Sequence, residues 1–269
     1  MSNAGQTSTV GALLRSWRNT RGMSQLSLSL EAGVSSRHLS FIENGRSAPS
    51  REMVLALAET LDIPLRDRNE LLQAAGYASV YRETPLEAPS MDHVRESLRN
   101  LLRASEPNPT LVVDRRYDVR MANDAAKKLL ACFCKDVEAA SRQPNLVRLL
   151  VARDGMRDAI TNRDEVMTYM VDRIRRELTN LRERNAADDA ILHELEALEP
   201  RGRQRTVTAP SSFVLPVKLR KGDVRLELFT TITTLGTPLD ITLQELRIET
   251  LYPANAESRA TMERLLASN

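Results

Sequence analysis

Apolar positions recur at three-and-four spacing through the first eighty residues, the pattern of helices with one buried face. Val10, Leu13, Leu14 and Trp17 predict a helix over about 9–21, ended by Gly22. Ser24 stands as an N-cap for a second helix over about 24–31 that carries Leu26, Leu28 and Leu30. After Ala32-Gly33-Val34, Ser35 caps a third helix through Glu43 with Leu39 and Ile42 inward, closed by Asn44-Gly45. Ser50 opens a fourth helix carrying Met53, Leu55, Leu57, Ala58 and Leu61, and a fifth runs over about 66–75 to Gly76. The second and third helices are short and joined by a turn containing Gly33, where glycine supplies a positive φ at no steric cost. That is the pattern of a helix-turn-helix, whose second helix is shaped to enter a DNA major groove.

The pattern changes beyond two proline-bearing stretches, Tyr81 to Ser90 and Glu106-Pro-Asn-Pro109. Met91 to Ser105 is predicted helical. Thr110 to Asp114 and Tyr117 to Ala122 read as a hairpin of short strands. Helices are predicted from Asn123 to Phe133, Asn145 to Val151, Asp154 to Glu183 and Asp188 to Glu199. Three strands then alternate with period two, over 213–220, 224–232 and 241–249, the last with a bulge at Gln244-Glu245. In this reading Leu226, Leu228, Thr230, Ile232, Leu246 and Ile248 face inward, and Arg225 and Glu227 pair with Arg247 and Glu249 on the opposite face. A helix from Ala256 to Ala267 ends the pattern. The organisation is therefore α+β in two domains: an all-α five-helix head over 9–80, a linker over 81–92, and a second domain over 93–269. The second domain has a five-stranded antiparallel sheet with helices on one face.

Composition narrows the function. Of 269 residues, 42% are hydrophobic and 28% charged, which excludes wholesale disorder. Net charge is only +2, so any nucleic-acid surface must be local. Residues 1–50 hold Arg15, Arg18, Arg21, Arg37 and Arg46 against Glu31 and Glu43. That modest excess makes a single head a weak binder and favours a homodimer on two half-sites of double-stranded DNA. No apolar run approaches the ~20 residues of a membrane span, and no secretory leader is visible, so a cytoplasmic protein without membrane contact is expected. Cys132 and Cys134 form neither a redox pair nor a zinc half-site. His38, His93 and His193 are far apart, and no nucleophile elbow or phosphate loop is present. No catalytic residue, metal site or cofactor is expected.

The head carries a specific resemblance. Ser24-Gln25, Gly33-Val34-Ser35, Ile42-Glu43-Asn44-Gly45-Arg46 and Pro49-Ser50 are similar, in order and spacing, to the Cro/C1 (XRE-like) repressor family. The resemblance implies DNA contacts from Gln25, Ser35, Ser36, Arg37, Phe41, Asn44 and Arg46. Ser36 and Arg37 fall on base-reading positions, with Arg37 suited to guanine and Phe41 to a thymine methyl. Ser35, Asn44 and Arg46 fall on backbone-contacting positions. It also implies a buried ion pair between Arg18 and Glu43.

Two strands, several helices and three antiparallel strands is the order of a PAS domain. Pro109-Thr-Leu-Val-Val-Asp, Ala122-Asn123, Leu146 onward and above all Gly236-Thr-Pro-Leu-Asp-Ile-Thr-Leu-Gln-Glu-Leu-Arg247 resemble the ligand-binding domain of MmyB-like regulators. The resemblance implies a PAS-like fold that holds a small apolar ligand such as a fatty acid. Candidate ligand contacts are Met167, Tyr169, Met170 and Ile174 on the long helix, facing Leu228, Thr230, Ile232, Leu246 and Ile248. The same strand residues equally suit a packed core. Arg173, Arg175 and Arg176 are candidates for a carboxylate, or simply a solvated face. Two other readings stay open: a second domain that only dimerises, and one that docks a protein partner without any small molecule.

Overall fold

The computed structural model describes residues 9–142, 144–179, 193 and 214–267. The elements in chain order are α1 (Val10–Thr20), α2 (Gln25–Glu31), α3 (Ser36–Glu43), α4 (Arg51–Thr60), α5 (Leu65–Ala74) and α6 (Asp92–Ala104), then β1 (Thr110–Val113) and β2 (Val119–Ala122). They continue through α7 (Asp124–Phe133), α8 (Val137–Arg142), α9 (Leu146–Val151), α10 (Arg163–Thr179), β3 (Val217–Lys221), β4 (Val224–Thr233), α11 (Ile241–Glu245), β5 (Arg247–Pro253) and α12 (Ala256–Ala267). Apart from His193, the helix expected over 188–199 lies outside the described residues, as do the start of the strand expected at Phe213 and the stretch 180–183 of the helix expected from Asp154.

The chain forms two compact units. The first holds α1 to α5. Thr9, Ser24, Ser35 and Ser50 each accept a hydrogen bond from an amide of the first turn of the following helix, at 3.0–3.3 Å. These bonds satisfy donors that helix geometry leaves without a partner. Gly33 takes φ 67° between α2 and α3, and the Val34 amide closes the turn on Ser29 O at 2.9 Å. Leu14, Leu28, Leu39, Ile42, Leu57 and Leu72 fill the core with Trp17. Leu28 is buried, but Leu26 and Leu30 of the same helix are exposed, because a seven-residue helix turns only one narrow face inward. Gly11 lets α1 approach α3 closely: a Cβ there would lie 2.2 Å from the Ile42 carbonyl.

This unit also includes residues 236–244, which the sequence pattern places with the second domain. The α5 N-terminus follows Pro64, which offers no capping side chain. Gln244 supplies the cap instead, its Oε1 accepting from the Leu65 amide at 2.7 Å. The Asp240 carboxylate accepts from the Thr84 amide and hydroxyl, and the Ile241 amide donates to Arg82 O at 2.8 Å.

The second unit is built on an antiparallel five-stranded sheet in the order β2-β1-β5-β4-β3. Buried side chains of α7, α9, α10 and α12 share one core cluster with Leu219, Leu226 and Leu228 of β3 and β4. Asn123 ties the sheet to α7: its Oδ1 accepts from the Thr110 and Ala126 amides, both at 2.9 Å.

Three local expectations are corrected. The stretch expected as one helix from Asp154 to Glu183 begins its helix at Arg163, after a 3-10 turn at Arg157–Ala159. Ile241–Glu245 is a helix and not the bulged start of a strand, so β5 begins at Arg247 and runs to Pro253. The expected register consequently fails. Glu249 lies opposite Ile232 of β4 and Leu111 of β1, while Glu227 lies opposite Lys218 and Arg225 opposite Arg220.

Candidate DNA-reading face and ligand cavity

The candidate DNA-reading face is built on α3. Ser36 and Arg37 are exposed in its first turn, and Phe41 is half-buried one turn later. The Arg37 guanidinium lies over the Phe41 ring, 5.4 Å from its centroid. The two side chains stand at i, i+4, one turn apart on the same face of α3. Asn44 and Arg46 are exposed just beyond the helix. Asn44 accepts from Arg15 at 2.6 Å and donates to Ser40 O at 2.8 Å.

Behind this face sits Glu43, whose side chain is fully buried. Arg18 donates to both its oxygens, Nε at 2.6 Å and Nη2 at 2.9 Å. Gln25 Nε2 adds a third bond at 2.8 Å and Arg15 Nε a longer one at 3.4 Å. Burial pushes the Glu43 carboxyl up, but the bonds from Arg18, Gln25 and Arg15 outweigh it and hold it below the ordinary carboxylate range. The same bond to Glu43 raises Arg18. Gln25 is thus anchored from inside; its amide nitrogen keeps a second hydrogen for an outside acceptor such as a phosphate.

The second unit holds a cavity of about 310 Å³ between its helices and sheet, at the small end of ligand pockets. Three helices each contribute a stripe at helical spacing: Ala126, Leu129 and Leu130 of α7; Leu146, Leu149 and Leu150 of α9; Val166, Tyr169, Met170 and Arg173 of α10. The sheet contributes Leu111, Val217, Leu219, Thr230, Ile232, Glu249 and Leu251. Tyr169, Val214 and Ile232 line the cavity yet are also exposed, so apolar side chains reach solvent at its edge.

Of the candidate ligand contacts, Tyr169, Met170, Thr230 and Ile232 line this cavity. Met167, Ile174 and Leu228 are buried in the adjoining core. Leu246 and Ile248 are buried but do not line it. Residues 247, 249 and 251 alternate with them, and the observed register turns Glu249 and Leu251 to the cavity.

Of the polar members, Arg173 and Thr230 are among the candidates from sequence, whereas Glu249 is placed there on the opposite face. Arg173 and Glu249, both more than nine-tenths buried, pair through Arg173 Nη2 and Glu249 Oε1 at 2.7 Å. Arg173 Nε donates to Glu177 at 3.1 Å. Glu177 also accepts from the Tyr117 hydroxyl at 2.6 Å and from Arg247 at 2.8 Å. Both guanidinium groups lie over the Tyr117 ring, each 5.2 Å from its centroid. Burial pushes the Tyr117 hydroxyl up, keeping it a neutral donor. Burial opposes the charge on Arg173, but Glu249 and its other neighbours raise it overall. Helical spacing of Arg173 with Tyr169 and Met170 was the available signal; Glu249 had none, because its face depends on register.

Among the described residues, no group of three metal-ligating side chains comes together, and no helix is long and apolar enough to cross a membrane. Cys132 and Cys134 are free thiols, and burial pushes both up.

Comparison with known proteins accords with this arrangement. A helix-turn-helix family model matches residues 14–67. A second model, described as the MmyB-like transcription regulator ligand binding domain, matches residues 94–265. A search of curated proteins finds no match. With a helix-turn-helix in one unit and a cavity-bearing sheet in the other, the chain belongs to the MmyB-like transcription regulators, DNA-binding proteins with a helix-turn-helix and a ligand-binding domain.

Proposed function

We propose that the protein is a cytoplasmic, homodimeric regulator that reads an operator through α3 and takes a small, largely apolar ligand into the 310 Å³ cavity. A chain-like molecule of the fatty-acid class, the acid itself or its neutral alcohol or amide, suits the cavity's size and apolar lining. The observation that carries the reading is a cavity walled by three apolar helix stripes, in the same chain as an exposed Arg37 on a helix-turn-helix. Arg37 selects a guanine, Phe41 supports its guanidinium and meets an adjacent base edge, and Ser35, Asn44 and Arg46 set the helix on the phosphates. Two heads on half-sites about 34–36 Å apart supply the affinity that one lacks. For the ligand to regulate, it must bind one DNA-binding state better than the other; the operator then alters ligand affinity by the same factor.

The test is mass spectrometry of the purified protein, native and after organic extraction, beside operator binding of the extracted and unextracted forms. A stoichiometric small molecule whose removal changes operator affinity is the expected result. Protein that carries no molecule, gains no stability from chain-like ligands and binds operator unchanged would leave the second domain as a dimerisation or partner-docking module.

A further inference from the structure

The polar wall of the cavity constrains what the ligand's head can be. Arg173 and Glu249 both line the cavity, more than nine-tenths buried and bonded to each other. Behind them Glu177 accepts from Arg173, Arg247 and Tyr117. Two guanidinium groups and two carboxylates are joined, so the cluster is neutral as it stands. A fifth charge would be unbalanced. A ligand carboxylate would share Arg173 with Glu249, and a ligand ammonium would stand beside Arg173 with both acids already charge-paired. A buried charge without its own counter-charge is strongly disfavoured.

The cluster nonetheless keeps bonding capacity. Among the described residues, Nη1 of Arg173 and Oε2 of Glu249 have no hydrogen-bond partner. One is a donor and the other an acceptor. Buried polar atoms without partners are costly, so a group that satisfies both gains from entering. Thr230, which also lines the cavity, adds a hydroxyl that can give or receive.

Resting on the ligand-cavity reading above, we infer that the cavity selects a chain-like molecule with an uncharged head that both donates and accepts, an alcohol or amide, over the corresponding carboxylate or ammonium. The head accepts from Arg173 and donates to Glu249, while its chain lies among the Leu, Val and Met side chains of α7, α9 and α10.

The experiment uses the full-length protein after organic extraction and refolding, with four ten-carbon probes at pH 8: decanol, decanamide, decanoate and decylammonium. Binding is read by calorimetry. Decanol or decanamide is expected to bind at least about tenfold tighter than either charged probe. Glu249→Gln, which keeps an acceptor for Arg173 but removes one negative charge, is expected to raise decanoate affinity to that of decanol or above. Wild-type protein that binds decanoate as tightly as decanol would overturn the inference, as would an unchanged order in the Glu249→Gln variant. Binding of none of the four, by protein that also carried no molecule from purification, would instead remove the ligand reading itself.

Discussion

Each unit of this protein buries an arginine against a glutamate, and the two pairs are finished differently. In the helical unit both oxygens of Glu43 are taken, by Arg18 twice, by Gln25 and by Arg15. In the sheet unit Arg173 and Glu249 share one bond, and each keeps an open atom beside a cavity. A pair whose capacity is filled by its surroundings fixes a structure. A pair with capacity left over can bind something else. Burial is alike in the two cases, so burial alone does not tell them apart; the count of unsatisfied atoms does.

The largest test of that contrast is Glu43→Ala. It strands Arg18 in the interior and should cost about 3–5 kcal/mol, the usual penalty for breaking a buried pair. The chain's single tryptophan, Trp17, lies in the same core and reports urea unfolding of this unit. Glu249→Ala should cost less, about 1–3 kcal/mol, because Glu177 still accepts from Arg173. Far-UV circular dichroism in urea reads that transition, and equal costs for the two variants would erase the distinction.

Arg37→Ala tests an arginine whose donors face outward. It should lose about 1–3 kcal/mol of operator affinity at one guanine and relax discrimination there, with stability unchanged. Band-shift titrations against all four bases at each operator position measure it; a uniform loss would make Arg37 a phosphate contact. Ser35→Ala removes the α3 cap and should cost about 1 kcal/mol of stability, with operator binding reduced for every sequence alike.

The smallest effect is a pH dependence. The folded-state carboxyl of Glu43 is held below its unfolded value. Its contribution is therefore complete above the unfolded carboxylate pKa, about 4.3, and is lost as pH falls through the lower folded value. Urea midpoints followed at Trp17 should decline below about pH 5, and Glu43→Gln should flatten that decline. A decline of the same slope in the variant would assign it to other acids.

The helical unit was readable from sequence almost residue by residue. Four of its five helices start at serine or threonine caps and four stop near glycines, and those signals act over four residues or fewer. The helix-turn-helix follows directly. The sheet unit was readable in order but not in detail. Val224 to Thr233 shows its alternation plainly, and the strand is where the pattern puts it. The segment after Gly236 has apolar residues at 241, 243, 246 and 248, which suit a bulged strand and a helix-then-strand equally well. Taking it as strand shifted the register, and a strand's side chains change face with every residue. That is why Glu249 was assigned outward and Ile248 inward.

Local sequence therefore determined most of the caps, the turn at Gly33, the helix periods, the class of the second domain and the small net charge of +2. Tertiary structure alone decided that Gln244 caps a helix 179 residues earlier in the chain and that Asp240 holds Thr84. It also decided that Arg173 meets Glu249 on a cavity wall. Caps and periods are encoded by neighbours along the chain, whereas those contacts depend on the strand register and chain path that the assembled core selects.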